Sequence, residues 1–120
     1  MQETLRTKRV AELMRQEVAR VIRDYVHDPK VKDVVITSVK VSVDLDIARI
    51  YWTTYNTDAV KGIQSGLERS AGFIRKEILK SVRMKKVPKL EFCIDDSRAE
   101  ADKIDSLLSL IEKENHEWMV

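Results

Sequence analysis

Apolar residues recur at spacings of three and four over residues 7–26: Val10, Leu13, Met14, Val18, Val21, Ile22 and Tyr25. In a helix these positions form one stripe, so the segment is expected to be an amphipathic helix. Arg6, Lys8, Arg9, Arg15, Arg20 and Arg23 mostly lie off that stripe. Asp28-Pro29 ends the helix, because the residue before a proline is pushed out of the helical region. The pattern then changes to alternation. In 34–43, VVITSVKVSV, the β-branched residues Val35, Val39, Val41 and Val43 are expected on one face, with Ser38, Lys40 and Ser42 on the other. Asp44-Leu45-Asp46 reads as a turn, and 47–55, IARIYWTTY, as the second strand of a hairpin. Ala48, Ile50 and Trp52 would face the core, and Arg49, Tyr51 and Tyr55 the opposite side.

Asn56 or Thr57 can cap a following helix, with Asp58 well placed in its first turn. That helix runs to about Ser70 on the stripe Val60, Ile63 and Leu67. Gly72 interrupts it, and helical periodicity resumes with Phe73, Ile74, Ile78 and Leu79, which predicts two helices meeting at a glycine kink. Val87-Pro88 stops the second. Leu90, Phe92 and Ile94 alternate as a third strand. Ser97 and Glu100 have capping-box spacing, and Ile104, Leu107, Leu108 and Ile111 mark a last helix with an acidic outer face. The order α-β-β-α-kink-α-β-α, without strict alternation, predicts an α+β domain with helices covering one face of a three-stranded sheet. Residues 1–97 would form its main body, and 98–120 an acidic helix and short tail belonging to the same domain.

The 120 residues are enough for one core without a disulfide or metal staple. Cys93 stands alone, so no intrachain disulfide or thiolate metal site is expected. MQETLRTKRV has no apolar signal region and no apolar run could cross a bilayer, so a cytoplasmic location is expected, with no membrane association. The chain is expected to act as a monomer.

Charge changes the picture more than composition does. The net charge is only +2, but residues 1–90 hold 19 Lys or Arg against 11 Asp or Glu, whereas 91–120 hold 3 against 9. Within 69–89 stand Arg69, Arg75, Lys76, Lys80, Arg83, Lys85, Lys86 and Lys89, against Glu77 alone. A charge run is usually a solvated helix face. This concentration, opposed by an acidic C-terminal segment, favours a phosphate-contacting surface whose affinity would fall with salt. Arg6, Lys8 and Arg9 form a weaker second patch.

The other chemistry-bearing residues have plainer readings. Asp44/Asp46 and Asp95/Asp96 suit turns, where carboxylates bond local backbone. His27 and His116 belong to different elements, and nothing makes them converge on a metal. Walker loop and nucleophile elbow are both missing. Cys93 alternates with core residues of a strand, as a structural thiol does. Tyr51, Tyr55 and Trp52 could stack on bases, but ordinary strand packing is preferred, above all for Trp52. The chain is therefore expected to bind rather than catalyse, and to need no cofactor or metal.

The element order, with a kinked helix pair between strands two and three, resembles the type II KH RNA-binding domain. Ordinary KH domains place a GXXG loop there; here Ser70-Ala71-Gly72 occupies the junction. With ITSVKVSVDLDIARIYW (36–52), SAGFIRKEI (70–78) and VPKLEFCIDDS (87–97), the chain looks like ribosome-binding factor A, a KH-like family with an Ala-x-Gly kink. Ser70 stands where that family has alanine, and Lys85 where arginine is usual. The resemblance implies a non-enzymatic assembly factor. It would bind the free 30S subunit and its 16S rRNA, alongside other assembly factors. It would aid late maturation, including 5′-end processing, and support growth in the cold. The candidate RNA contacts are Arg75, Lys76, Lys80, Arg83, Lys85, Lys86 and Lys89, with Arg6, Lys8 and Arg9 second, oriented by the kink Ser70, Ala71, Gly72. The competing readings are a KH-like module for another nucleic acid, and a protein-interaction adaptor using residues 97–115.

Overall fold

In the computed structural model, residues 3–96 and residue 108 are described. Helix α1 (Leu5–Tyr25) is followed by strands β1 (Val35–Val41) and β2 (Ile47–Thr53), helix α2 (Val60–Ser81) and strand β3 (Lys89–Ile94). The sheet order is β1-β2-β3; β1 and β2 run antiparallel, β2 and β3 parallel. A parallel third strand requires a crossover, and α2 supplies it. Helix α1 packs mainly on β1, α2 on β3, and the helices touch each other. The expected α+β architecture, helices against a three-stranded sheet, is the one observed. The expected capping box at Ser97 and the helix after it lie outside the described residues.

The core forms between the helix pair and the inner sheet face. Met14, Val18 and Val21 of α1 and Ile63, Leu67, Ile74 and Ile78 of α2 meet Ala48, Ile50 and Trp52 of β2. Ala48, Ile50 and Trp52 are fully buried, as their alternation requires. The Trp52 indole N–H donates to Gln64 Oε1 at 2.7 Å, and Gln64 Nε2 donates to the Phe92 carbonyl at 2.8 Å. One amide thus joins β2, α2 and β3 while satisfying the only polar atom of the indole.

Four sequence expectations are corrected. First, Val35 and Val43 are exposed, although Val39 and Val41 are buried. The register with β2 shifts between Ile36 and Ser38, so a bulge at Thr37 reverses the phase of β1. Ile36, paired with Trp52, packs on the core instead of Val35. Second, Asn56 makes no side-chain cap; Thr57–Ala59 is a short 3-10 turn leading into α2. Third, the two helices expected around Gly72 are one helix of 22 residues, with Ser70, Ala71 and Gly72 inside it. Gly72 has no positive φ and so no turn to make. A helical glycine costs only ~1 kcal/mol against alanine, and buried Leu67 on one side and Ile74 and Ile78 on the other outweigh it. Fourth, Phe73 and Leu79 are exposed rather than part of the apolar stripe.

The glycine needed for close approach is Gly66. A Cβ there would lie 2.9 Å from Val31 Cγ1 and 3.2 Å from Asp28 Oδ2, whereas one at Gly72 would meet nothing within 4 Å. Val31 is buried and β-branched, so it yields poorly. Gly72→Ala is therefore expected to stabilise the fold by about 0.5–1 kcal/mol. Gly66→Ala is expected to destabilise it by about 1–2 kcal/mol, because overpacking exceeds the gain in propensity. Urea unfolding midpoints of the two variants, moving in opposite directions, check this.

Helix α1 starts at a reciprocal cap: Thr7 N–H donates to Thr4 Oγ1 at 3.2 Å, and Thr4 N–H to Thr7 Oγ1 at 2.8 Å. That fixes where Arg6, Lys8 and Arg9 project. No helix among the described residues is long and apolar enough to cross a membrane.

Candidate nucleic-acid interface

At about 100° per residue, the side of α2 opposite Ile63, Leu67, Ile74 and Ile78 carries Arg69, Gly72, Phe73, Lys76 and Lys80, all exposed. The helix ends at Ser81, and Arg83, Lys85, Lys86 and Lys89 follow in the loop and at the start of β3. Lys80 lies in the last turn, where a cation also meets the negative end of the helix dipole.

These cations are not equivalent. Arg69 reaches back to the start of the fold, 3.3 Å from Asp28 Oδ2. The Asp28 carboxylate also accepts from the Lys30 backbone N–H at 3.0 Å; that bond first, and the Arg69 guanidinium after it, hold its pKa below the ordinary range. Arg75 is half-buried and donates both Nε (3.1 Å) and Nη2 (2.8 Å) to the Val87 carbonyl. It braces the loop against the helix, so its fork is occupied. Lys80 lies 3.0 Å from Glu77 Oε1, and Lys86 pairs with Asp46. Exposed pairs of this kind are worth at most ~1 kcal/mol, so a polyanion can displace them. Lys76, Arg83, Lys85 and Lys89 are exposed and have no ion-pair partner among the described residues.

The loop 82–88 is placed by Val87 and Pro88, both fully buried, and by the Lys89 N–H donating to the Asp46 carbonyl at 2.8 Å. There it meets the hairpin turn and the start of α1. A cleft of about 310 Å³ is lined by Arg6, Val10, Asp44, Leu45, Met84, Lys85 and Lys86. Leu45 is held at φ 62° with its side chain buried, a conformation that costs a non-glycine residue ~1 kcal/mol or more. Arg6 thus joins the basic segment from the far end of the sequence. Arg9 is exposed. Lys8 turns instead toward the β1 edge, into a cleft shared with Glu3, Glu12, Arg15 and Lys40.

The outer sheet face is a separate surface. Lys40, Arg49 and Glu91 form one cross-strand row, with Arg49 3.4 Å from Glu91; Ser38, Tyr51 and Cys93 form the next. Trp52 is locked in the core and cannot stack on a base. A further cleft of about 490 Å³ lies where α1 ends, lined by Ile22, Val26, His27, Lys32, Val34 and Ile36 among others. Among the described residues, no group of three His, Cys, Asp or Glu side chains could hold a metal ion.

An antiparallel hairpin extended by a parallel third strand, with both helices on one face, is the arrangement of a KH-like domain. Residues 6–108 match the family model for ribosome-binding factor A. Ribosome-binding factor A of Streptococcus mutans is 38% identical over 112 residues, covering 92% of this chain and 97% of that protein. The Syntrophus aciditrophicus protein is 37% identical over 115 residues, covering 95% and 94%. The crystal structure of ribosome-binding factor A from Thermus thermophilus superposes with a TM-score of 0.66 at 20% identity, covering 73% of this chain and 94% of that one. Thermus thermophilus coordinates fitted into a cryo-electron-microscopy map of a 30S–RbfA complex give 0.61 at 21% identity, covering 72% and 91%. The chain belongs to the ribosome-binding factor A family.

Proposed function

We propose that this protein is a ribosome assembly factor that binds the free 30S subunit through its 16S rRNA and promotes late maturation, including processing of the 16S 5′ end. It works by binding: it performs no chemistry, requires no cofactor, and biases the rRNA toward a form on which nucleases and other assembly factors act. It does so as a monomer in the cytoplasm, where it supports growth in the cold. The observation that carries this reading is the run of exposed cations from the outer face of α2 through the loop 82–88, joined by Arg6. Its contacts are Lys76, Arg83, Lys85 and Lys89, assisted by Lys80, Lys86 and Arg6. Arg75 acts by holding the loop in place. Ser70, Ala71 and Gly72 contribute a bare stretch of helix beside these charges. The acidic segment 98–120 belongs to the same domain. The 30S complex known for the Thermus relative supports the same partner.

Cations that neutralise phosphates release condensed counterions, so affinity must fall with salt. Binding to purified free small subunits, measured by sedimentation between 50 and 200 mM salt, is expected to follow a log–log slope of about −3 to −4, for roughly four phosphate contacts. A flat dependence would mean that the contact is not made by this array.

A further inference from the structure

We propose that Phe73 stacks on an unpaired base of the bound RNA, making α2 a reader of single-stranded nucleotides as well as a carrier of charge. This rests on the RNA-binding reading above and names the part of the RNA that this face takes. Phe73 is 44% exposed at the middle of a helix whose other large apolar residues, Leu79 apart, face the core. A single exposed apolar residue is ordinary on a protein surface. What distinguishes this one is its setting.

Arg69 stands four residues before it, Lys76 three after and Lys80 seven after. At those spacings all three lie on the same side of the helix as the ring, one turn before it and one and two turns after. The neighbouring acid Glu77 is engaged by Lys80, and Glu68 by Gln64. The preceding residue, Gly72, carries no side chain, and one there would meet nothing within 4 Å. The ring is therefore open to solvent on a helix face that also carries Lys76 and Lys80, which can take the flanking phosphates. A duplex offers its phosphates but keeps its bases stacked inside; only an unpaired base can lie against the exposed ring. Stacking on an aromatic ring is tolerant of base identity, so this contact is expected to carry little sequence preference.

The test uses the full chain, Phe73→Leu, which keeps apolar bulk, and Phe73→Tyr, which keeps the ring. The site is exposed, so thermal melting of both is expected to match the parent. Affinities are measured for an unstructured single-stranded RNA and for a fully paired RNA of equal length. Phe73→Leu is expected to bind the single strand about tenfold more weakly, the low end of what base–aromatic stacking supplies. Its duplex affinity should stay within about twofold, since phosphate contacts are untouched. Phe73→Tyr should restore single-strand binding. Equal losses on both RNAs, no loss on either, or a loss seen only with intact small subunits (a ribosomal-protein contact) would each overturn the proposal while leaving RNA binding intact. A parent chain that binds neither RNA would remove the RNA-binding reading itself.

Discussion

Changing Lys76, Arg83, Lys85 and Lys89 together to glutamate is expected to weaken binding to the free small subunit by at least about a hundredfold at moderate salt. The residual salt slope should be shallower by about one per lost contact. These four are chosen because the structure gives them exposure and, among the described residues, no ion-pair partner. Their removal therefore leaves the fold intact, and co-sedimentation at several salt concentrations reads binding alone. Arg69→Gln with Arg75→Gln gives the contrasting result. Arg69 ties α2 to Asp28, and Arg75 ties it to the Val87 carbonyl. That variant should lose thermal stability and leave the salt slope of binding nearly unchanged. If both variants lose the same binding with the same slope, the division between contacting and bracing cations is wrong.

Trp52→Ala is expected to destabilise the domain by about 3–5 kcal/mol. The indole is fully buried, so its deletion leaves a cavity that the sheet and helices fill only in part. It also strips Gln64 of a donor in the link between β2, α2 and β3. Domains of this size have only ~5–15 kcal/mol in hand, so the variant should unfold at much lower urea or be partly unfolded at 37 °C. Trp52→Phe separates the two contributions. It keeps most of the apolar volume and loses the indole N–H, with an expected cost of about 1–3 kcal/mol. A Trp52→Ala midpoint close to that of the parent would contradict the core arrangement described above.

Much of this fold is legible in the chain itself, and what is not has identifiable causes. The inward set Ala48, Ile50 and Trp52 follows from alternation, because β2 is the central strand and its own burial alternates without interruption. In β1 the run of valines around Ile36 places apolar residues in both phases, so a bulge at Thr37 could not be foreseen from pattern alone. Three glycines stand in the α2 region, and the sequence directs attention to Gly72, which breaks an apolar stripe. The fold instead needs Gly66, because Asp28 and Val31 approach it from a distant segment. The reciprocal cap at α1 has Thr at both ends, rather than the Glu or Gln usual at the second position.

The candidate site divides in the same way. Clustering of cations in 69–89 is a one-dimensional property and was plain. Which of them is a brace depends on where the Val87 carbonyl comes to lie, and that is set by the tertiary path of the loop. The meeting of Arg6 with Lys85 and Lys86 likewise needs the fold. The periodicity after Gly72 groups Phe73 with Ile74, Ile78 and Leu79. The helix passes unbroken through Gly72, and that continuity turns the ring outward.

An unbroken α2 has a mechanical consequence. Lys76 and Lys80 are four residues apart on one helix, about 6 Å at ~1.5 Å per residue. A helix pinned along its length by four buried aliphatic residues neither stretches nor bends readily, so that interval exists before any partner arrives and little chain entropy is lost on contact. The domain therefore behaves as a ruler. A nucleic acid whose contour already matches its gradations docks without cost, and one that does not must itself be reshaped to fit.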